Sequence, residues 1–222
     1  MSLVVVKCGG AVVDVAAEGV SGLVAHGHAV CVVHGAGPQI SSEMERLGLA
    51  IRFIRGRRVT EAAALAVVRQ SLARVNAALC AALGPAAVGF MGDEIGLEAR
   101  QVSTLGLVGE PLPSSPAPVR AALAAGRIPV VAPLARGPLN VNADDAAWAL
   151  AVGLCADRLL FLTDVPGVLV EGALVSSIEA DEADRLLGDG SFQGGIVPKL
   201  HAAVRAVRAG VHAEIGETVV LP

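Results

Sequence analysis

The sequence predicts an α/β fold on a mostly parallel sheet with helices covering both faces, and two observations carry that prediction. Short continuous apolar runs alternate with Ala/Leu/Val segments of helical period along all 222 residues. Apolar residues make up 54% of the chain and charged residues 17%, the balance expected of strands buried on both faces rather than of a solvated, disordered chain. A chain of this length can bury a sizeable core as one large domain or as two closely packed lobes.

The strand-like runs are Leu3–Val6, Ala29–Val33, Ala86–Phe90, Ile128–Val131, Arg158–Leu162 and a short Val219–Leu221, each bounded by turn signals. Helical period marks Ile40–Leu47, Thr60–Leu83, Val119–Ala125, Asp144–Cys155 and Pro198–Ala209. Pro198 suits the first position of the last helix and Gly210 its stop. The Pro-rich stretch Glu110–Pro118 reads as an ordered loop, and Ala135–Leu139 as a junction between residues 1–137 and 138–222.

Composition excludes several function classes. Aromatic residues are 2% of the chain and the net charge is −4, so there are neither stacking platforms nor a basic footprint for nucleic acid. Mean hydropathy is +0.63, yet Gly, His, Arg or Asp interrupts every apolar stretch before the ~18–20 residues of a membrane span. Cys8, Cys31, Cys80 and Cys155 lie far apart without metal-ligand spacing, which reads as small buried hydrophobes in a reducing compartment. No secretory signal precedes the first strand, so the expected location is the cytoplasm.

Chemistry concentrates where strands end. Val6-Lys7-Cys8-Gly9-Gly10 puts a cation and two glycines at the carboxyl end of the first strand, where open α/β sheets bind ligands; a tight turn with a solvated Lys is the alternative. Val33-His34-Gly35-Ala36-Gly37-Pro38 repeats the arrangement ahead of a helix, suited to phosphate or carboxylate. His34 reads more readily as a satisfied structural histidine than as a general base. In Arg57-Arg58-Val59-Thr60, Thr60 reads as an N-cap and the arginines as either a carboxylate clamp or a solvated pair. Asn140, Asn142 and Asp144 fall on one side of an extended segment, more polar groups than capping alone requires. Thr163 and Asp164 end another strand. Gly194-Gly195-Ile196-Val197-Pro198-Lys199 places a Lys in the first turn of a helix, against the dipole; a site that tolerates this wants positive charge for an anion.

Together these segments resemble the amino-acid kinase superfamily, and within it the N-acetylglutamate kinases, in order from Val4 to about Val211. The resemblance rests on Lys7-x-Gly9-Gly10, His34-Gly-x-Gly-Pro38, Gly56-x-Arg58-Val-Thr60 and Gly89-Phe-Met-Gly92-Asp93. It continues through Gly106-Leu-Val-Gly-Glu110, Asn140-Val-Asn-Ala-Asp144, Thr163-Asp-Val-Pro-Gly167 and Gly194-Gly-x-x-Pro-Lys199. It implies a three-layer αβα sandwich, with the acyl amino acid and the dimer contact on residues 1–137 and the nucleotide on 138–222. It also implies ATP-dependent phosphorylation of the side-chain carboxylate of N-acetyl-L-glutamate in arginine biosynthesis, with Mg²⁺ carried by the nucleotide.

By position, Lys7 and Lys199 would hold the phosphates and Asp144 would orient both lysines. Gly9, Gly10 and Gly35 would donate N–H groups to the phosphoryl. Gly35, Ala36, Arg58 and Asn140 would contact the acceptor; Thr163 and Asp164, with Gly9 and the two lysines, the nucleotide. A carboxylate nucleophile is already ionised at pH 7, so such a site needs cations and backbone donors rather than a base.

The sequence departs from the family in two places. Ala36 stands where a third glycine is usual, costing on the order of 1 kcal/mol if that position requires φ > 0. His212–Pro222 reads as a remnant of the family's closing helix and hairpin, with Gly216-Glu-Thr218 left of a Gly-x-Gly-Thr, so the nucleotide side is expected to be open. The missing N-terminal extension implies a homodimer insensitive to arginine. Two other readings remain: a kinase of carrier-linked aminoadipate or glutamate, for which Arg52, Arg55, Arg57 and Arg58 would receive an acidic carrier, and a binding module that has lost catalysis.

Overall fold

The computed structural model describes residues 2–9, 13–54, 56–163 and 165–222, with the side chains of residues 13–15 left aside. The first half runs β1 (Leu3–Cys8), α1 (Val13–Ala25), β2 (Ala29–His34), α2 (Gly37–Arg46), β3 (Phe53–Ile54), β4 (Arg57–Arg58), α3 (Ala62–Leu83) and β5 (Ala87–Met91). Next come α4 (Gly92–Ile95), β6 (Ala99–Gln101), β7 (Val108–Pro111), α5 (Ala117–Ala124), β8 (Ile128–Ala132), β9 (Leu134–Ala135) and β10 (Leu139–Val141). The rest is α6 (Ala143–Gly153), β11 (Arg158–Leu162), β12 (Leu169–Val170), β13 (Ala173–Leu174), β14 (Ser177–Glu179), α7 (Ala180–Gly188), α8 (Ile196–Arg208), β15 (His212–Ile215) and β16 (Thr218–Leu221).

Eight strands form one sheet in the order β14-β16-β15-β11-β1-β2-β8-β5. Every neighbouring pair is parallel except the β15–β16 hairpin. Because side chains alternate along a strand, an unbroken apolar run feeds both faces. Val5, Cys31, Val33, Leu159 and Phe161 pack in one core with Leu150 of α6 and Leu200 of α8. Val4, Val6, Val30, Val32 and Leu160 pack in a second with Val20 of α1 and Leu79 of α3. The result is the expected three-layer αβα sandwich. A smaller sheet, β6-β7-β10-β9, lies outside it, and residues 135–139, read as a junction, connect its antiparallel strands β9 and β10.

Register does the functional assembly. Cys8 at the end of β1 is paired with His34 of β2 and with Leu162 of β11. Three central strands therefore end level, and the turns after them emerge side by side.

Several expectations need correction. Helix α3 starts at Ala62 with Glu61 in the cap position, and Thr60 instead turns its hydroxyl onto the Arg58 carbonyl. Asn142 caps α6: its Oδ1 accepts from the N–H groups of Asp144 (2.8 Å) and Asp145 (3.2 Å). Helix α8 begins two residues before Pro198, which costs little because first-turn N–H groups have no intrahelical acceptor. Cys8 and Cys31 are buried, but Cys80 is half-buried and Cys155 is exposed. Ala36 has φ −146°, outside the left-handed region, so it carries none of the strain that the missing glycine implied.

Candidate active site

Asp144 is the centre of the constellation. Lys7 Nζ, from the end of β1, lies 3.0 Å from Asp144 Oδ1, and Lys199 Nζ, from the first turn of α8, lies 4.0 Å from the same oxygen. Lys199 also donates to the carbonyl of Gly195 (3.0 Å). Lys7 and Asp144 are both buried, and a buried charge persists only when paired. Residues 192 positions apart thus converge on one carboxylate, which offsets the unfavourable placement of a cation at a helix N-terminus.

Beside the pair is a cavity of about 230 Å³ lined by Lys7, Gly35, Ala36, Arg58, Asn140 and Asp144, among others. The N-terminus of α2 opens on it through Gly37 and Ile40, an end of a helix that favours an anion. Arg58 is buried and donates to Ser41 Oγ (2.8 Å) and to the Gly37 carbonyl (3.3 Å). Its guanidinium stacks 4.6 Å from the Phe53 ring centroid. Burial pulls its pKa below the usual arginine value. Among the described residues it forms no ion pair, so a carboxylate entering the cavity would meet a desolvated, unneutralised cation. Asn140 Nδ2 donates to Thr60 Oγ1 (2.9 Å), fixing the amide that lines the cavity. Gly35 does not fit its expected part: its N–H is spent on the Cys8 carbonyl (3.0 Å), tying β2 to β1 rather than pointing at a phosphoryl group.

His34 is fully buried and structural. Its Nε2 accepts from Asn76 Nδ2 (3.0 Å), which also donates to the Val130 carbonyl (3.0 Å). Burial lowers the His34 pKa to about 4, so the ring is neutral at pH 7. Gly89 explains itself here: a Cβ on it would lie 2.1 Å from Asn76 Oδ1. That motif glycine therefore serves the support of His34.

On the other side of Lys199 lies a cavity of about 440 Å³ lined by Thr163, Gly167, Phe192, Gly195 and Lys199 among others. Its loop is clamped by the C-terminal hairpin. Thr218 Oγ1 accepts from the Val168 N–H (2.9 Å) and donates to the Val175 carbonyl (2.6 Å), and the Glu217 N–H reaches the Pro166 carbonyl (2.7 Å). Gly216 has φ +55° and sits so close that a Cβ would lie 2.3 Å from Pro166 O, a position only glycine fills. The segment read as a remnant is a complete hairpin, paired with β11 and β14 and closing one side of this loop. Gly10, Arg55 and Asp164 lie outside the described residues.

The sequence pattern of the amino acid kinase family matches residues 2–216. The chain belongs to the amino acid kinase family. Among the relatives of this family member is the acetylglutamate kinase of Rubrobacter xylanophilus, 42% identical over 224 residues, spanning 97% of this chain and 88% of that protein. The acetylglutamate kinase of Gluconobacter oxydans is 41% identical over 208 residues, 83% of this chain and 70% of that one. Among solved structures, smu.665 from Streptococcus mutans superposes with a TM-score of 0.90 at 28% identity, covering 99% of this chain and 98% of that one.

Sequence reading missed three parts of this kinase's site: the hydroxyl of Thr218, the Asn76 support, and Asp145 beside Asp144. Gly216-Glu-Thr218 held the only local signal for the first. For the other two there was none, because an Asn within a helix and a second Asp at a helix start are ordinary there.

Proposed function

We propose that this chain is an acetylglutamate kinase, transferring the γ-phosphoryl group of ATP to the side-chain carboxylate of N-acetyl-L-glutamate to give an acyl phosphate, a step of arginine biosynthesis. The observation that carries this reading is the convergence of Lys7 and Lys199 on Asp144 between two cavities, one holding the unneutralised Arg58. Arg58 and Asn140, with Ala36 and Gly35 in the cavity wall, would hold the acceptor; Thr163, Asp164, Gly9 and Lys199 would hold the nucleotide.

The acceptor carboxylate is ionised at pH 7, so it attacks without a base, consistent with His34 being neutral and bonded away. Two anions must meet, and the two ammonium groups offset charge as the phosphoryl moves, while Asp144 holds both cations in place. Gly9 and Gly10 would supply backbone donors. Asp144 is engaged by ammonium groups, so Mg²⁺ would travel on the nucleotide phosphates. Residues 1–137 would form the acceptor part and 138–222 the nucleotide part, with Asn140 and Asp144 reaching across. A cytoplasmic homodimer belongs to the same reading, and light scattering in solution checks the dimer.

A carrier-linked substrate finds less support. Arg57 is paired with Asp145 and Glu110 and Arg58 is buried, which leaves Arg52 as the exposed arginine of the cluster among the described residues. The clamped nucleotide loop argues against a module that has lost catalysis. Hydroxylamine trapping of the acyl phosphate, with free N-acetylglutamate, N-acetylaspartate and a carrier-linked glutamate compared, tests the proposal. Turnover is expected with free N-acetylglutamate; its absence at millimolar substrate and ATP overturns the reading.

A further inference from the structure

A third cavity, about 940 Å³, lies between the β3–β4 hairpin, the turn at residues 103–105 and the start of α8. Its wall contains an ion network that the chemistry above does not use. Asp145 Oδ2 is 3.1 Å from Arg57 Nη2 of β4, and Asp145 Oδ1 is 3.5 Å from Arg205 Nη1 of α8. Arg57 also reaches Glu110 of β7 at 3.5 Å. The Arg205 guanidinium lies over Trp148, 3.4 Å from the ring centroid, and Trp148 is three residues along α6 from Asp145, on the same face.

This places Asp144 and Asp145, neighbours on α6, in parallel duties. Asp144 meets the two lysines. Asp145 meets one guanidinium from the hairpin beside the acceptor cavity and one from the helix that carries Lys199. The hairpin is only two residues on each strand and, among the described residues, is joined to no other strand, and so short a ribbon does not hold its own position. Its adjacent arginines point opposite ways, as strand neighbours do: Arg58 towards α2 and Arg57 towards α6. Capping does not require the Asp145 side chain, since Asn142 caps the helix. A buried carboxylate is a costly way to pack a helix start unless it fixes a geometry.

We propose that Asp145 is a positioning residue that couples the β3–β4 hairpin to helix α8 through Arg57 and Arg205, so that filling the acceptor cavity steadies Lys199 for the nucleotide. The coupling to ligands rests on the kinase reading above; the mechanical link does not.

The test is Asp145→Asn in the full chain, with Arg57→Gln and Arg205→Gln as independent probes should the first variant fold poorly. Amide hydrogen exchange of residues 52–58 is measured without ligands, and ADP affinity with and without N-acetylglutamate. In each variant, hairpin exchange should rise and the acceptor's tightening of ADP binding should shrink, each by roughly tenfold. Asp145→Glu should restore part of both. Neither arginine change should add to Asp145→Asn. Wild-type exchange and wild-type tightening in a variant that is merely less heat-stable would overturn the proposal, as would additive arginine effects. If the unmodified chain shows no response to N-acetylglutamate, the acceptor assignment fails instead, and hairpin exchange alone decides the link.

Discussion

Lys7 and Lys199 reach the same Asp144 oxygen from two different kinds of support. Lys7 ends a strand flanked on both sides by parallel partners, its side chain is 8% exposed, and it lies 3.0 Å from Asp144 Oδ1. Lys199 belongs to the first turn of a helix, is 15% exposed, lies 4.0 Å away and divides its bonding with the Gly195 carbonyl. One cation is fixed by the sheet. The other sits at a helix start, more exposed and farther from the shared oxygen. Phosphoryl transfer between two anions depends on both being held in a near-attack geometry.

The largest effect should come from breaking the shared point. Asp144→Asn should lower kcat by roughly a hundredfold or more, since both cations lose their orientation. Lys7→Ala should cost kcat at least as much, whereas Lys199→Ala should divide its effect between kcat and nucleotide affinity. Steady-state kinetics with ADP titration checks the set. Near-normal turnover in either lysine variant would sink the mechanism, and equal kcat–affinity splits would erase the difference between the lysines.

Acid should attack the fixed side first. His34 closes β2 opposite Cys8, and burial lowers its pKa from an ordinary 6.5 to about 4. The unfolded chain therefore binds that proton at higher pH than the folded one. The stability His34 contributes is complete above about pH 6.5 and is lost as pH falls towards 4, by about 3 kcal/mol at most. Urea midpoints across that window, for the natural chain and His34→Gln, report it. An unchanged pH slope in the variant would remove His34 as the cause.

The smallest effect belongs to the Lys199 side. Thr218→Val keeps the shape but removes the hydroxyl between Val168 N–H and Val175 O. Nucleotide affinity should fall by roughly three- to tenfold, with acceptor KM unchanged and Thr218→Ser restoring binding. Equal losses for both substrates would mean that the hairpin supports the whole fold rather than the nucleotide loop.

Much of this arrangement was legible in the residues. The five longer strand runs and five helices were placed within a few residues, because each combines an apolar period with a clear stop. Helix α1 was not read, since Gly19 and Gly22 interrupt it and glycine lowers helix preference. Helix α7 was missed because its buried positions are few, Ala180, Ala183 and Leu186, within a charged sequence. The short strands β6, β7 and β9 have too few residues to display a period of two. Thr60 was misread as an N-cap because its hydroxyl turns back onto Arg58 O two residues earlier, and the Gly35 N–H, read as a donor to phosphate, is taken by Cys8 O although Gly35 itself lines the cavity.

Sequence alone determined the fold class, the strands with anion-suited turns at their carboxyl ends, and the cations Lys7, Arg58 and Lys199 that phosphoryl transfer to a carboxylate would need. These are local properties: strand and helix period, glycine at a turn, charge at an element's end. Tertiary structure alone decided that Lys7 and Lys199 share Asp144, that Arg58 is left unneutralised while Arg57 is paired, that Ala36 is unstrained, and that the C-terminal hairpin clamps the loop after β11. Each depends on which strands become neighbours and in what register. Contacts between residues far apart in the chain arise only when loop closure brings them together, and no local pattern encodes which of several similar cations will then find a partner.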